Sequence, residues 1–152
     1  MQRRIIPGVI DGQQALCCLA PDATVRNAAD LMAEWRIGAV LVMEQGALAG
    51  IVTERDMVFR VLAKGLDAEK APLREVMTTK VDTVTPQDSA MRALDMMQTG
   101  HYRHLPVLDG NDVCGIVSIR DLYEAIRVTL QEELQSAESL IYGDQYGSGP
   151  QT

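Results

Sequence analysis

The chain has 152 residues and a formal net charge of −7; apolar residues make up 47% of it and aromatic residues only 4%. This length gives one compact unit with an aliphatic core, or two halves too small to be stable apart. The acidic balance argues against a nucleic-acid groove or an anionic membrane surface as a partner, although a local cluster of arginines can still bind a phosphate.

The first half reads as strand, helix, strand, strand, helix. A short segment over residues 1–14 contains two glycines and a proline, and we expect this N-terminal extension to pack against the body of the protein. The first repeat follows over 15–64, where a capping hydroxyl, a helical apolar pattern and two β-prone runs mark the elements. They are a strand at Ala15–Leu19, a helix capped by Thr24, strands at Ala39–Met43 and Leu48–Val52, and a helix from Glu54 to about Ala63.

The second half repeats this order after a polar connector over residues 65–77. The second repeat, over 78–127, has predicted strands at Val81–Thr85, His104–Leu108 and Val113–Val117, a helix capped by Ser89, and a helix from Ile119 onward. This last helix continues through 128–142 with apolar residues three or four apart, a stripe that needs cover from the protein's own body or from a second copy. Three glycines and a proline predict a frayed tail over 143–152.

The two halves align without a gap, because residues 21–57 match residues 86–122 at a constant spacing of 65. Polar as well as apolar identities are kept, among them Pro21 and Pro86, Asp30 and Asp95, and Val42 and Val107. Chance rarely gives such a match over 37 positions, so we interpret the halves as duplicates. Neither half can bury both faces of its sheet alone, and we expect the two to pack sheet against sheet.

One seven-residue pattern closes the last strand of each repeat, Gly50–Asp56 in the first and Gly115–Asp121 in the second. A glycine opens an apolar run, a hydroxyl residue ends it, and an Arg-Asp pair follows. A hydroxyl residue with an acid three positions later is typical of a helix start, where free backbone N–H groups favour an anion. The aspartate adds an acceptor for two hydrogen bonds from a ribose diol, so each corner predicts a pocket for a sugar-phosphate.

These corners, with the run Arg103-His104-Leu105-Pro106-Val107 before the second one, resemble the tandem cystathionine β-synthase (CBS) domain pair over about residues 15–126. The chain is similar to small stand-alone bacterial proteins that consist of one such pair. The resemblance implies an α+β fold of two β-α-β-β-α repeats, packed sheet to sheet with pseudo-twofold symmetry and with a cleft at each side of the interface. It also implies an adenosine-containing ligand: AMP, ADP, ATP, S-adenosylmethionine or NAD.

The same resemblance implies which residues bind the ligand. The corners hold the phosphate and ribose, the residues around the start of each repeat's second strand approach the phosphate, and the first strands pass the adenine. The residues so predicted are Thr53, Arg55, Asp56, Ser118, Arg120 and Asp121 at the corners, Arg103, His104, Pro106, Gly38 and Ala39 at the second strands, and Thr83 and Cys18 in the first strands.

The corner residues also have a structural interpretation. Thr53 and Ser118 can act as helix caps worth about 1 kcal/mol. Asp56 and Asp121 can offset the dipole of a first helical turn. A cap and a ligand contact are compatible, because a phosphate also binds at a helix N-terminus.

The two clefts are predicted to be unequal, because Gly38 and Ala39 stand where the second repeat has Arg103 and His104. A guanidinium and an imidazole can both bind a phosphate. A charged strand edge is the structural interpretation of the same pair. One nucleotide per chain and two nucleotides are therefore both open.

The sequence contains no catalytic constellation. It has no Ser/His/Asp set with orienting spacing, no Cys/His pair with an orienting partner and no Walker loop. His101 and His104 lack companion ligands at metal-site spacing. We therefore expect no enzyme activity, no metal site and no required cofactor.

Three cysteines, Cys17, Cys18 and Cys114, are an odd number without metal-ligand spacing, and a chain of this size does not need disulfides. We expect reduced thiols and a cytoplasmic location. No apolar run has the length of a signal-peptide core or of a membrane span, so neither a leader nor a membrane anchor is expected.

Together these patterns predict a regulatory sensor that binds an adenine nucleotide and responds by rearranging a head-to-head homodimer. An unidentified target protein fits this interpretation as a further partner. A ligand-free scaffold or interaction dimer is the main alternative. A nucleotide-hydrolysing enzyme is the last.

Overall fold

The structure, a computed structural model, describes residues 3–12 and 14–147, the last five of these as backbone alone. Its first sheet has three strands, in which β1 (Cys18–Leu19) lies parallel to β2 (Ala39–Glu44) and β2 pairs antiparallel with β3 (Ala47–Thr53). The second sheet is the antiparallel pair β4 (His104–Asp109) and β5 (Asp112–Ser118).

A π-helical turn at Ile5–Val9 precedes β1, and a 3-10 turn at Leu73–Glu75 follows the first repeat. The described residues also form four α-helices. They are α1 (Val25–Trp35), α2 (Glu54–Asp56) with a π-helical continuation over Met57–Leu62, α3 (Ala90–Gly100) and α4 (Ile119–Gly147). Thr24 and Ser89 cap α1 and α3 as predicted, since each hydroxyl accepts a backbone N–H three residues later at 3.1 Å. None of the described helices is long and apolar enough to cross a membrane.

The two repeats share one strand register, which confirms the duplication. Ala39 lies opposite Thr53 and Val42 opposite Gly50, followed by a bulge after Val42. In the second sheet, the residues 65 positions later pair in the same way, and the bulge comes after Val107. A bulge kept at the same place in both ladders shows that the backbone, and not only the sequence, is duplicated.

The two sheets pack against each other, as predicted. Each repeat has its own aliphatic core, and a third cluster joins them, with buried Ala39, Leu41 and Ile51 of the first sheet in contact with half-buried Val113 and Ile116 of the second. The α+β fold with sheet-to-sheet packing is therefore confirmed.

Each repeat receives a chain segment that leads into the other. The N–H of Ala90, the first residue of α3, donates to the carbonyl of Arg3 at 2.8 Å, and Ile5 is fully buried in the core of the second repeat. In the same way, the N–H of Val25 donates to the carbonyl of Ala71 at 2.9 Å, and Leu73 is fully buried in the first repeat. The segment before each repeat therefore packs against the other repeat.

The first strand of the second repeat is shorter than predicted. Only Val84 forms a bridge, to Val107, within the predicted strand Val81–Thr85. In the first repeat the N–H of Leu41 donates to the carbonyl of Cys17 at 3.0 Å. Pro106 occupies the position of Leu41 and has no N–H, so this ladder bond cannot form.

The last helix is longer than predicted. It runs to Gly147, so residues 143–147 of the predicted tail are helical, and the rest of that tail, 148–152, lies outside the described residues. Gly143 was expected to end the helix, but one glycine in a helix interior costs only about 1 kcal/mol relative to alanine.

Candidate functional site

Two cavities open beside the interface between the sheets, each built from both repeats. The Ser118 cleft has a volume of 680 Å³ and combines the second repeat's corner, Ser118–Asp121, with residues 14–17 and 35–39 of the first repeat. The Thr53 cleft has a volume of 430 Å³ and combines the first repeat's corner, Thr53–Asp56, with residues 78, 80–82 and 100–104. Each cleft combines both repeats because of the two chain segments that lead into the repeats. Each of these segments passes over the corner of the other repeat.

The Thr53 corner is a closed hydrogen-bonded unit. The Thr53 N–H donates to Asp56 Oδ2 at 2.9 Å, and the Asp56 N–H donates to Thr53 Oγ1 at 3.4 Å. The other carboxylate oxygen, Oδ1, lies 3.5 Å from Arg60 Nε. Both oxygens of Asp56 are therefore engaged, one by the cap and one by an ion pair.

The Ser118 corner has the same cap but a free carboxylate oxygen. The Ser118 N–H donates to Asp121 Oδ2 at 2.8 Å, and the Asp121 N–H donates to Ser118 Oγ at 3.1 Å. Ala125 stands where the first repeat has Arg60, so Asp121 Oδ1 has no protein partner within residues 3–12 and 14–147. This oxygen can accept hydrogen bonds from a bound molecule.

The arginines of the two clefts differ as the aspartates do, because more of them lack a partner in the Ser118 cleft. In the Ser118 cleft, the side chains of Arg36, Arg103 and Arg120 have no hydrogen-bond or ion-pair partner among the residues that the structure describes. In the Thr53 cleft, Arg55 donates to the His101 carbonyl at 2.9 Å and Arg60 to the Val76 carbonyl at 3.0 Å. Among the described residues, the Ser118 cleft therefore offers three unpaired guanidinium groups to an anion, and the Thr53 cleft offers the shared Arg103 and the ammonium group of Lys80.

Glu54, Arg103 and His104 line both clefts and form a shared wall between them. Burial lowers the pKa of the half-buried His104, with Arg103 acting in the same direction, while the carboxylates of Glu54 and Asp121 oppose the change. His104 is therefore an uncharged imidazole at neutral pH, in which one ring nitrogen donates a hydrogen bond and the other accepts one.

The mouth of the Thr53 cleft carries a pair that the first repeat lacks. The Tyr102 hydroxyl donates to Asp82 Oδ2 at 2.7 Å, and the counterparts of these residues are Ile37 and Cys17. Burial, followed by this hydrogen bond and the charge of Asp82, raises the pKa of Tyr102 well above its ordinary value. Tyr102 remains a neutral phenol that holds Asp82 in place.

The structure brings most of the predicted site residues together. The Ser118 cleft collects Ser118, Arg120 and Asp121 with Gly38, Ala39, Arg103 and His104. The Thr53 cleft collects Thr53, Arg55 and Asp56 with Arg103 and His104. The roles assigned to these residues stay predictions.

Three predicted residues lie outside both clefts. Cys18 is exposed in β1 and its neighbour Cys17 lines the Ser118 cleft instead, because side chains alternate between the faces of a strand. Thr83 is likewise replaced by Val81 and Asp82 in the Thr53 cleft. Pro106 is buried in the middle of β4, opposite Ile116, so its contribution is to the sheet.

Sequence reasoning missed several residues that line the clefts. They are Arg36, Glu54, Arg60, Lys80, Asp82 and Tyr102. The duplication held a signal for five of them. At the spacing of 65, Glu54, Arg60, Lys80, Asp82 and Tyr102 stand where the other half has Ile119, Ala125, Ala15, Cys17 and Ile37. Polar residues that break an otherwise close internal match are candidates for the function of one repeat alone.

The thiol in the Ser118 cleft is not activated. Burial, followed by the negative charge of Glu34, raises the pKa of Cys17, which keeps the thiol protonated. Within the described ranges no three His, Cys, Asp or Glu side chains group closely enough to hold a metal ion. The chemistry on offer in the clefts is hydrogen bonding and charge.

A family model described as "CBS domain" matches residues 3–63 and 73–128. It includes most of the segment 1–14 that the sequence analysis set apart as an extension. The mitochondrial CBS domain-containing protein CBSX3 of Arabidopsis thaliana is 36% identical over 138 residues, which cover 88% of this chain and 66% of that protein. The chain therefore spans just under two thirds of this plant relative.

Solved structures show the same fold. A CBS-domain protein from Burkholderia ambifaria is 37% identical, with a TM-score of 0.72 over 76% of this chain and 84% of that chain. A CBS domain protein from Pyrobaculum aerophilum, solved in complex with AMP, is 26% identical, with a TM-score of 0.67 over 74% of this chain and 86% of that chain.

Proposed function

The chain belongs to the CBS domain family, and on this premise we propose that it binds an adenosine-containing ligand in its two clefts and acts as a regulatory sensor. One observation carries the proposal: the free oxygen of Asp121 shares a 680 Å³ cavity with three arginines that lack partners in the described chain. A carboxylate suits the two hydroxyls of a ribose, and guanidinium groups suit a phosphate.

The ligand class is set by this combination of groups. AMP, ADP, ATP and NAD offer both a ribose and a phosphate, whereas S-adenosylmethionine offers the ribose alone. Both cleft volumes lie within the range of about 300–1,000 Å³ that is usual for small-molecule sites. The AMP complex of the Pyrobaculum relative supports an adenine nucleotide. We expect the Ser118 cleft to bind first, because its aspartate and arginines are unpaired.

The proposed mechanism is a shift between arrangements of the two repeats. Since each cleft is built from both repeats, a ligand contacts both and favours the arrangement in which those contacts are best. A change in that arrangement reaches α4 directly, because Ser118 and Asp121 stand at its start. We propose a cytoplasmic sensor without catalytic activity that passes this change to a target protein.

A homodimer forms part of the proposal. Every residue of helix α4 from 130 to 142 is exposed, and Leu130, Leu134 and Ile141 are each 60% exposed. An isolated helix of this length is marginal in water. A second copy can cover the apolar stripe of α4.

Small-molecule mass spectrometry tests the function most simply. The protein is purified without added nucleotide and denatured, and the released molecules are identified. Calorimetry against AMP, ADP, ATP, S-adenosylmethionine and NAD then ranks the ligands. We expect an adenosine compound among the released molecules and saturable binding of at least one of the five.

The exposed stripe of α4 also favours the second candidate, a scaffold or interaction dimer with empty clefts. The two candidates differ in one result. A protein that remains dimeric in sedimentation but binds none of the five ligands supports the scaffold and contradicts the sensor.

A further inference from the structure

The two clefts meet at a thin shared wall made of Glu54, Arg103 and His104. Gly38 lies against this wall: a Cβ atom built there would be 3.2 Å from Glu54 Oε1 and 3.3 Å from His104 Cε1. The Ser118 cleft therefore reaches the wall without an intervening side chain at residue 38. A wall residue that moves toward one cleft changes the other cleft at the same time.

Arg103 is the cation of this wall. It is exposed and its side chain makes no ion pair or hydrogen bond within the described part of the chain, so its guanidinium can bind a phosphate from either cleft. A guanidinium binds one phosphate best through two parallel hydrogen bonds. A second phosphate that arrives from the other cleft finds those donors engaged.

Electrostatics acts in the same direction. The first phosphate, together with Glu54, places negative charge beside the position of the second phosphate. Like charges repel, and groups within a Debye length of about 8–10 Å are only partly screened at ordinary salt. Competition for Arg103 and repulsion across the wall both weaken the second binding step.

We propose that phosphate-bearing ligands in the two clefts are negatively coupled through this wall, with Arg103 as the group for which they compete. The proposal rests on the nucleotide-binding function proposed above. The Ser118 cleft fills first, and its phosphate weakens phosphate binding in the Thr53 cleft. An adenosine ligand without a phosphate escapes the coupling, so the favoured fully loaded state holds one phosphate-bearing ligand and one phosphate-free ligand.

Titrations with AMP and with adenosine test the coupling. The backbone amide signals of Arg36 and Tyr102, each of which lines one cleft alone, report the occupancy of the two clefts separately by NMR. The D121N variant, which impairs the Ser118 cleft, gives the affinity of the Thr53 cleft by itself. We expect AMP to bind the Thr53 cleft about 5- to 150-fold more weakly in the wild type than in D121N. Adenosine should bind it equally in both.

Two arginine variants assign the effect. R103Q should bring the ratio of the two AMP affinities of the Thr53 cleft, with and without D121N, toward one. R92Q changes an exposed arginine of α3 outside both clefts and should leave this ratio unchanged. If AMP binds the Thr53 cleft in D121N but not in the wild type, the coupling is confirmed and is too strong for the ratio of affinities to be measured.

Other outcomes overturn the coupling. The coupling is overturned if AMP binds the Thr53 cleft equally well in the wild type and in D121N. It is also overturned if R103Q leaves the ratio of these two affinities unchanged, or if the Thr53 cleft stays empty in D121N. Each of these outcomes leaves nucleotide binding by the Ser118 cleft intact. A protein that binds neither AMP nor adenosine overturns the coupling. If it binds none of ADP, ATP, S-adenosylmethionine and NAD either, the proposed function is contradicted as well.

Discussion

A single residue makes the two corners chemically different. Arg60 pairs with Asp56 in the first repeat, and Ala125 leaves the equivalent oxygen of Asp121 free in the second. Identical motifs therefore do not give identical sites, because a side chain one helical turn later decides whether the acid is available to a ligand.

Replacing Asp121 by asparagine tests the role of that acid. The amide oxygen can still accept the Ser118 N–H, so the cap and the melting temperature should change little. A hydrogen bond to a charged group is worth about 1.5–3 kcal/mol, so nucleotide affinity should fall about 10- to 100-fold in calorimetry. The matched control is D112N, at the exposed start of β5 outside both clefts. Equal affinities in D121N and D112N would contradict the assignment.

His104 gives the protein a pH-dependent stability. Burial lowers its pKa in the folded protein below the value near 6.5 of the unfolded chain. The unfolded chain therefore binds the proton more tightly, so this contribution to stability is complete above about pH 6.5 and is lost as the pH falls through the folded pKa. Glu54, Asp121 and Arg103 face the imidazole and set how low that pKa lies.

Denaturant unfolding between about pH 5 and pH 7 measures this contribution. The free energy of unfolding of the wild type should decrease more steeply on acidification than that of H104Q. The variant H101Q, which removes the exposed histidine, should follow the wild type. Parallel curves for wild type and H104Q would show that His104 does not carry the effect.

At the scale of elements, local sequence patterns predicted the strands and helices. They did not predict that the segment before each repeat packs on the other repeat. The motif at Gly50 and Gly115 predicted both corners, and the capping hydroxyls predicted α1 and α3. The segment 1–14 was expected to pack on the body, but nothing in its sequence indicates that Ile5 belongs to the second repeat and Leu73 to the first. Such a choice depends on contacts between residues far apart in the chain.

In the first strands, the residues that line the clefts lie one or two positions before the predicted Cys18 and Thr83, whose roles stay predictions. Pro106 cannot donate to the strand beside it, so the second repeat keeps only the bridge at Val84 in place of the two-residue pairing of β1. Cleft residues 80–82 then come from an irregular segment, for which strand alternation gives no guide.

Gly50 and Gly115 open equivalent motifs but have different neighbours. A Cβ atom at Gly50 would lie 2.8 Å from the carbonyl oxygen of Thr78, which is fixed by its bridge to Ile51. A Cβ atom at Gly115 would meet mainly the flexible end of Ile10, also at 2.8 Å. Backbone cannot move aside as a side-chain methyl group can.

G50A should therefore lose about 1–3 kcal/mol of stability and G115A clearly less. Chemical denaturation of the two variants gives the comparison directly, and the change of glycine to alanine in the unfolded chain is the same in both. A greater loss in G115A would mean that the contact between Gly50 and Thr78 is not rigid.

The free part of α4 should hold the dimer together. Burying a Leu or Ile side chain is worth about 1.5–3 kcal/mol, so L130Q combined with L134Q should weaken dimerisation at least about 100-fold. Sedimentation equilibrium measures the change, and the control replaces the adjacent Gln131 and Gln135 by alanine. An unchanged dimer in the leucine variant would place the interface elsewhere.

At the scale of the whole molecule, each functional cleft exists only because both repeats are present. The corner of one repeat lies against the chain segment that leads into the other repeat. The wall of Glu54, Arg103 and His104 belongs to both cavities. A ligand bound in either cleft would therefore contact both repeats. The duplication visible in the sequence predicted this general plan, whereas the inequality of the clefts depends on a few residues that differ between the halves.

The central claim is that the Ser118 corner holds the sugar-phosphate of a nucleotide. A crystal structure of the protein grown with AMP tests this claim most directly. The account predicts the ribose hydroxyls within hydrogen-bond distance of Asp121 Oδ1 and the phosphate beside Arg36, Arg103 or Arg120. AMP bound outside both clefts, or bound with its ribose turned away from Asp121 and Asp56 alike, would contradict it.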